Sequence, residues 1–427
     1  MWCGRKLVEA AVQILIVSQY FWPENFRVND LTQELVKRGH GVTVLTGIPN
    51  YPAGKVFDAF KADPDAFDHY AGAKVCRVPM FARGTGSLRL LLNYLSFVLA
   101  ACLFGPWRLR GQFFDVIFVF EPSPVTVGLP AVLLGRLKQA PVVFWALDLW
   151  PETLAAVGVV RSPKVLAAIG CLVSFIYNRC ALVLGQSRGF LKNIAKYCDD
   201  SSKIRYFPSW AEDVFCQDDL KYAPEVPRVE GAFNVLFAGN VGESQDFPAV
   251  LDAAESLKHN PAIRWLVVGD GRMTDWLRAE VSRRGLEQSF LLLGRFPVER
   301  MPSFYVHADA LLVSLKRDPA FSLTIPGKVQ SYLMAGLPLL GMLDGEGANV
   351  IRNAEAGLVC SAGDAACLAQ SVLRLAAMSR VERLRLGSNG RDYANKEFNR
   401  EVLMDRLEGW FVELARGNRM HQGKDQL

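Results

Sequence analysis

The 427-residue chain has little histidine: five residues, none spaced as H-x-x-x-H and none beside a cysteine cluster. Its nine cysteines are scattered and no two form C-x-x-C. A zinc knuckle, a redox dithiol and a protein-bound metal centre are therefore not expected. An odd, unclustered cysteine count fits a reducing compartment better than a disulfide framework. Charge is also scarce, at 21% against 51% hydrophobic residues. That balance excludes a disordered or solvated-tail protein. A net charge of +5 and a pI near 8.7 fall short of the basic footprint of a nucleic-acid binder.

Charge-free runs of membrane-spanning length are equally rare. Val12–Val17 is too short for a signal-peptide core and reads as a first buried strand, so a cytoplasmic protein is expected. The exception is Leu90–Trp107, preceded by Arg83 and Arg89 and followed by Arg108 and Arg110. Asn93 and Ser96 interrupt it, Gly105-Pro106 is expected to end it, and it lies inside an alternating strand–helix pattern. These features favour a helix lying on an anionic membrane surface through residues 88–110, over a span or a plain core helix. The charge distribution agrees. Residues 1–215 hold 23 Lys and Arg against 16 Asp and Glu, net +7, and residues 216–427 are net −2.

Short apolar runs recur along the chain, each followed by a helical pattern. Gln13–Ser18, Val42–Thr46, Val75–Val78, Asp115–Phe120, Pro141–Ala146, Leu182–Gly185 and Lys203–Phe207 read as strands. Continuous apolar strands alternating with helices predict a parallel sheet covered on both faces. Phe207–Ala232 is Pro-rich and aperiodic and reads as a linker. Strands resume at Asn234–Gly239, Arg264–Gly269, Phe290–Gly294, Ala310–Ser314, Pro338–Met342 and Gly357–Cys360. Helical patterns at Ala365–Met378 and Glu401–Ala415 close the chain. The expected α/β architecture is a pair of Rossmann-like, doubly wound domains facing a cleft. Residues 1–208 form the first, 209–231 the linker and 232–400 the second, with helix 401–415 crossing back. Ligands are expected beyond the carboxyl ends of the strands.

Three motifs in the second half suit an anionic ligand. Gly239-Asn240-Val241-Gly242, with Gln245, joins a strand to a helix, so glycine permits close backbone approach and the helix offers free N–H groups. Gly269 ends another strand, and Arg272 beyond it is placed to reach a phosphate or a base edge. Pro326-Gly327-Lys328 opens a helix with backbone donors and a point charge together, and Ser331 follows one turn on. This is not a Walker A loop. In the first half, Ser18–Arg27 is an aromatic loop carrying Glu24. Glu121, Asp148 and Glu152 fall just past strand ends, where a buried acid is costly unless partnered or functional.

Glu24 after Tyr20-Phe-Trp-Pro, Lys37–Thr46, Gly47–Gly54, Trp145–Glu152, Gly239-Asn-Val-Gly and Pro326–Ser331 together resemble the family 4 glycosyltransferases. The match is to the colanic-acid and N-acetylfucosamine branch that builds bacterial surface polysaccharide. The resemblance spans nearly the whole chain. It implies a GT-B fold, a metal-independent retaining transfer, and a nucleotide-diphosphate sugar, UDP-linked, as donor rather than a cofactor. The acceptor it implies is lipid-linked, at the inner membrane. Beside the resemblance, Gly239, Asn240, Gly242, Gln245, Gly269, Arg272, Pro326, Gly327, Lys328 and Ser331 are the candidate donor contacts, with catalytic candidates Lys328 for stabilising the leaving diphosphate and Glu121 and Asp148 for orienting the donor sugar or the acceptor hydroxyl. The sequence departs from the family pattern in several places. Leu323 and Ser331 stand where an E-x7-E pair is usual, Asn240 and Gln245 where Arg and Lys are usual, and Phe120 where a histidine is common. A GT-B epimerase acting on a UDP-N-acetylhexosamine and a catalytically silent partner subunit are the competing readings.

Overall fold

A computed structural model of the chain describes residues 11–84, 86–156, 158–211 and 221–424. Arg5, Lys6, Glu9 and part of the expected linker, 212–220, lie outside the described residues. The chain forms two compact units, Met1–Phe207 with Met404–Leu427, and Pro208–Leu403.

The first unit is built on strands β1 (Gln13–Val17), β2 (Gly41–Gly47), β3 (His69–Tyr70), β4 (Ala73–Val78), β5 (Val116–Glu121), β6 (Val142–Ala146), β7 (Leu182–Gly185) and β8 (Ile204–Tyr206). Their order is β3-β4-β2-β1-β5-β6-β7-β8, with only the β3–β4 pair antiparallel. Ile14, Leu15, Ile16 and Val17 are all fully buried, as expected of a strand with both faces covered by helices. The second unit holds β9 (Phe233–Ala238), β10 (Ile263–Val268), β11 (Phe290–Gly294), β12 (Ala310–Ser314), β13 (Leu339–Met342) and β14 (Gly357–Cys360), ordered β11-β10-β9-β12-β13-β14. Each sheet grows outward in both directions from its first strand. The switch points therefore lie between β1 and β5, and between β9 and β12, where doubly wound sheets bind ligands.

Helix Ser87–Arg108 runs 22 residues and continues through Pro106, so Gly105-Pro106 does not end it. A proline this near the last turn removes little of the hydrogen-bond ladder. Asn93, Phe97, Val98, Ala100 and Ala101 are buried, whereas Leu88, Leu91, Leu92, Leu95, Leu99, Leu103 and Trp107 are exposed along one helical stripe. The described parts of the proline-rich stretch are not free chain, since Ala211, Ala223 and Val226 are buried in a core cluster of the second unit and Trp210 is buried as well. A further helix, Arg380–Glu397, follows Ala365–Ala377 and was not expected. Its face is polar nearly all round, so it carries no periodic apolar signal. It docks through Gly387, where a Cβ would come within 2.0 Å of the Gly336 carbonyl oxygen.

The last helix, Arg400–Lys424, belongs to the first unit from Met404 onward. Phe411 meets Phe118 edge-on at 5.7 Å, and Arg419 grips the fully buried Asp115 with two hydrogen bonds of 2.8 Å.

Candidate active site

In the second unit, β9 and β10 end side by side in two glycine turns. Gly239 N–H donates to Val268 O at 2.8 Å, and Val241 N–H to Asp270 O at 2.9 Å. A Cβ on Gly269 would lie 1.8 Å from the Gly239 oxygen, so no other residue allows these backbones to meet. The turns border a cavity of about 390 Å³ lined by Gly239, Asn240, Gly269, Arg295, Phe296 and Met301 among others. Its cation is Arg295. Arg272, the sequence candidate, is exposed and is not part of the lining.

Lys328 reaches the same β9 turn from the helix Gly327–Ala335. Its Nζ lies 2.6 Å from Gln245 Oε1 and 3.7 Å from the centre of the Phe237 ring. Desolvation among these neutral groups pulls its pKa down to about 7. Among the described residues it has no ion pair, which leaves a half-buried cation facing an amide and a ring. Pro326 caps the helix, and Gly327 beyond it is exposed. The Ser331 hydroxyl turns back on Gly327 O at 3.2 Å. Gly242 is buried at the start of a one-turn 3₁₀ segment, and Ser314 at the end of β12 donates to Gln245 O at 2.6 Å, fixing the loop. One positioning residue escaped the sequence reading. The buried Tyr332 hydroxyl accepts from Ala238 N–H at 2.8 Å and donates to Ala238 O at 3.1 Å, locking Lys328's helix to the end of β9. Its only signal was the one-turn spacing from Lys328.

In the first unit, Glu121 closes β5 and Asp148 follows the adjacent β6, so register brings them together. Glu121 is fully buried. It accepts one long bond, 3.3 Å, from Asp148 N–H, and its Oε1 has no partner among the described residues. Burial, with the Asp148 charge second, raises its pKa well above the ordinary carboxylate value, which favours the protonated form. Asp148 is satisfied by Leu149 N–H at 2.9 Å, the Thr153 hydroxyl at 2.6 Å and Trp150 Nε1 at 3.2 Å. Tyr94, from the long apolar helix, is half-buried, with its ring 6.5 Å from that of Trp150. Glu24 and Glu152 are structural. Glu24 accepts from Asn50 N–H and Tyr51 N–H at 2.7 Å each, tying the loops after β1 and β2 together. Glu152 accepts from Asn193 at 2.8 Å and Tyr197 at 3.1 Å. Phe120 packs edge-on against Trp145 at 5.6 Å in the core.

Residues 25–210 match the family model described as glycosyl transferase 4-like domain, and residues 232–378 match glycosyl transferases group 1. The chain belongs to the family 4 glycosyltransferases. It is 25% identical to WcaI of Escherichia coli, named as a colanic acid biosynthesis glycosyl transferase, over 92% of this chain and 98% of that one. It is also 25% identical to the glycosyltransferase WbjE of Pseudomonas aeruginosa, over 63% and 70% of the two chains. HepE of Anabaena, solved in complex with UDP, shares the fold with a TM-score of 0.66 at 14% identity, covering 94% of this chain and 100% of its own. This glycosyltransferase is thus a GT-B enzyme, of two parallel-sheet α/β units. It lacks a lysine at 245, yet Lys328 Nζ stands 2.6 Å from the side chain there, so a cation arrives from a different element.

Proposed function

We propose that the enzyme is a retaining glycosyltransferase of bacterial surface-polysaccharide synthesis. It moves a sugar, an N-acetylhexosamine or 6-deoxyhexosamine, from a UDP-linked donor to a lipid-linked acceptor, working from the cytoplasm at the inner membrane. The observation that carries the donor half is Lys328, a desolvated cation with no counter-ion among the described residues, beside the glycine turns of β9. The cavity of about 390 Å³ has the size and mixed lining of a nucleoside site, with Phe296 and Met301 as apolar walls and Arg295 at its edge. The leaving diphosphate then meets Lys328 and the free N–H groups that open its helix. Negative charge growing on that leaving group is stabilised more than the ground state, which accelerates the step without a metal ion.

On the acceptor side, Glu121, whose protonated form burial favours, stands beside Asp148 to orient a sugar or acceptor hydroxyl. HepE and WcaI support this reading by their bound UDP and their named pathway respectively. The exposed apolar stripe of helix Ser87–Arg108, flanked by Arg89, Arg108 and Arg110, suits an anionic lipid surface. The test is UDP binding by calorimetry, followed by transfer from a UDP-sugar panel to membrane lipid extract with and without EDTA. UDP binding and EDTA-insensitive transfer that keeps the donor's anomeric configuration are expected. Absence of nucleotide binding would refute the enzymatic reading.

A further inference from the structure

Helices Ser87–Arg108, Gly128–Lys138 and Pro163–Asn178 lead into β5, β6 and β7. Each step moves the same way across the sheet between parallel strands, so right-handed crossovers put all three helices on one face. All three therefore run against the strands and end at the sheet's amino edge. Glu121 and Asp148 stand at the opposite, carboxyl edge. A groove of about 880 Å³ lies along these helices. The middle one supplies Leu129, Val132, Leu133 and Arg136, at i, i+3, i+4 and i+7, while Val98 and Phe175 come from the helices on either side. The middle leucines and valine are only half-buried, and Phe175 is 42% exposed. An apolar hollow of this kind with a polar rim marks an interaction site.

Charge gives the groove a direction. No carboxylate lines it, and its cations, Arg136, Arg179 and Lys203, gather at the amino edge of the sheet. Arg179 lies 3.7 Å from the centre of the Phe175 ring and donates to Phe175 O at 3.2 Å, and Lys203 reaches Asn178 O at 3.4 Å. Those two are held by the carbonyl end of a helix, where a cation is at home. Arg136 is exposed and has no hydrogen bond or ion pair among the described residues.

A bilayer surface is flat on this scale and meets the ridges of the two flanking helices rather than the hollow between them. One helix laid in the hollow meets all three, and the spacing of Leu129, Val132 and Leu133 is that of helix-in-groove recognition. With its amino terminus at the cationic end, such a helix runs antiparallel to its three neighbours. The dipoles then oppose, and acids in its first turn face Arg136. The same face of a second copy does not supply them, because none of the three helices has an acid in its first turn. We propose that this groove docks an amphipathic helix of a partner protein, apolar along one stripe and acidic in its first turn.

The probe is a labelled synthetic helix of about 18 residues, long enough to hold its shape, with leucines at i, i+3, i+4 and i+7 and glutamates in its first turn. A control carries the same glutamates in its last turn, and a third peptide has lysines in place of the first-turn glutamates. Fluorescence anisotropy with the full chain is expected to show the first peptide binding about tenfold tighter than the control. Arg136→Glu should reverse the choice, weakening the first peptide and favouring the lysine one, while Leu133→Ser weakens all three. A melting curve for each variant separates lost recognition from lost folding. Absence of peptide binding by wild type, equal binding of peptide and control, or an Arg136→Glu variant that keeps the original preference would overturn the proposal. So would vesicles of phosphatidylglycerol that compete with the first peptide and lose their own binding in Leu133→Ser, which would give the face to the membrane. UDP affinity should be the same in every variant, so its absence would count against the transferase reading and leave this one standing.

Discussion

Lys328 couples donor binding to pH. Its pKa near 7 in the unliganded protein means that only the protonated form meets the diphosphate at full strength, and binding draws the pKa upward. UDP affinity should therefore be flat below pH 7 and fall as pH rises to 9, by at most about tenfold per unit. In Lys328→Met the profile should be level and the affinity low throughout, as calorimetry across that range would read. The same burial costs stability, because the folded pKa is below the unfolded one. Lys328→Met should accordingly melt higher than wild type at pH 7, and a lower melting point would contradict the desolvated-cation picture. Glu121 runs the other way. Its folded pKa is raised, so it destabilises the fold progressively as pH climbs above the ordinary carboxylate range. Glu121→Gln, close in shape to the neutral acid, should be at least as stable as wild type at pH 8 while kcat drops about a hundredfold. Both residues were legible in the sequence as a lysine after Pro-Gly and an acid at a strand end. The aromatic setting of Arg83 was not, since the ring beneath it comes from Tyr51, in the loop after β2.

Among the helices, the long apolar one and the one that carries Lys328 behave differently. The first has an inner face held by Asn93 and an outer face of leucines, and its hydrophobic length was evident from sequence. Which residues faced out was not, because it is apolar nearly all round. A triple Arg89→Gln, Arg108→Gln, Arg110→Gln variant should bind anionic liposomes about a hundredfold more weakly, at about 1 kcal/mol per charge, and unchanged sedimentation with liposomes would remove the membrane role. Arg83 is left out of that variant because its guanidinium lies over the Tyr51 ring. For the Lys328 helix, Tyr332→Phe leaves the buried Ala238 N–H without its acceptor, at a cost of about 1–3 kcal/mol in urea unfolding, and should also weaken UDP by shifting Lys328. Helix Arg380–Glu397 had a readable start in its Ser379–Glu382 capping box, with bonds of 2.7 and 3.3 Å, but no apolar stripe to extend it.

At the scale of the whole molecule, the chain's end completes its beginning. Asp115 is fully buried before β5, and Arg419, more than 300 residues later, neutralises it along with the Gln13 N–H at 2.8 Å. Arg419→Ala should destabilise the first unit by about 1–3 kcal/mol, less than a fully buried pair would, because the arginine is half exposed. Denaturant unfolding monitored in that unit is the check. Apart from the short β3 and its antiparallel pairing with β4, the strands, their parallel pairing and the two-unit plan were determined by sequence alone, because continuous apolar runs flanked by helices can be buried in few other ways. Tertiary structure alone decided which charges act. Arg272 and Arg295 look alike in the chain, as do Arg83 and Arg89, and only the fold leaves one of each pair beside a cavity or a ring. Which charge lies beside a cavity or a ring is a property of neighbours brought from elsewhere in the chain, and that position, not residue type, separates Arg295 and Arg83 from their look-alikes.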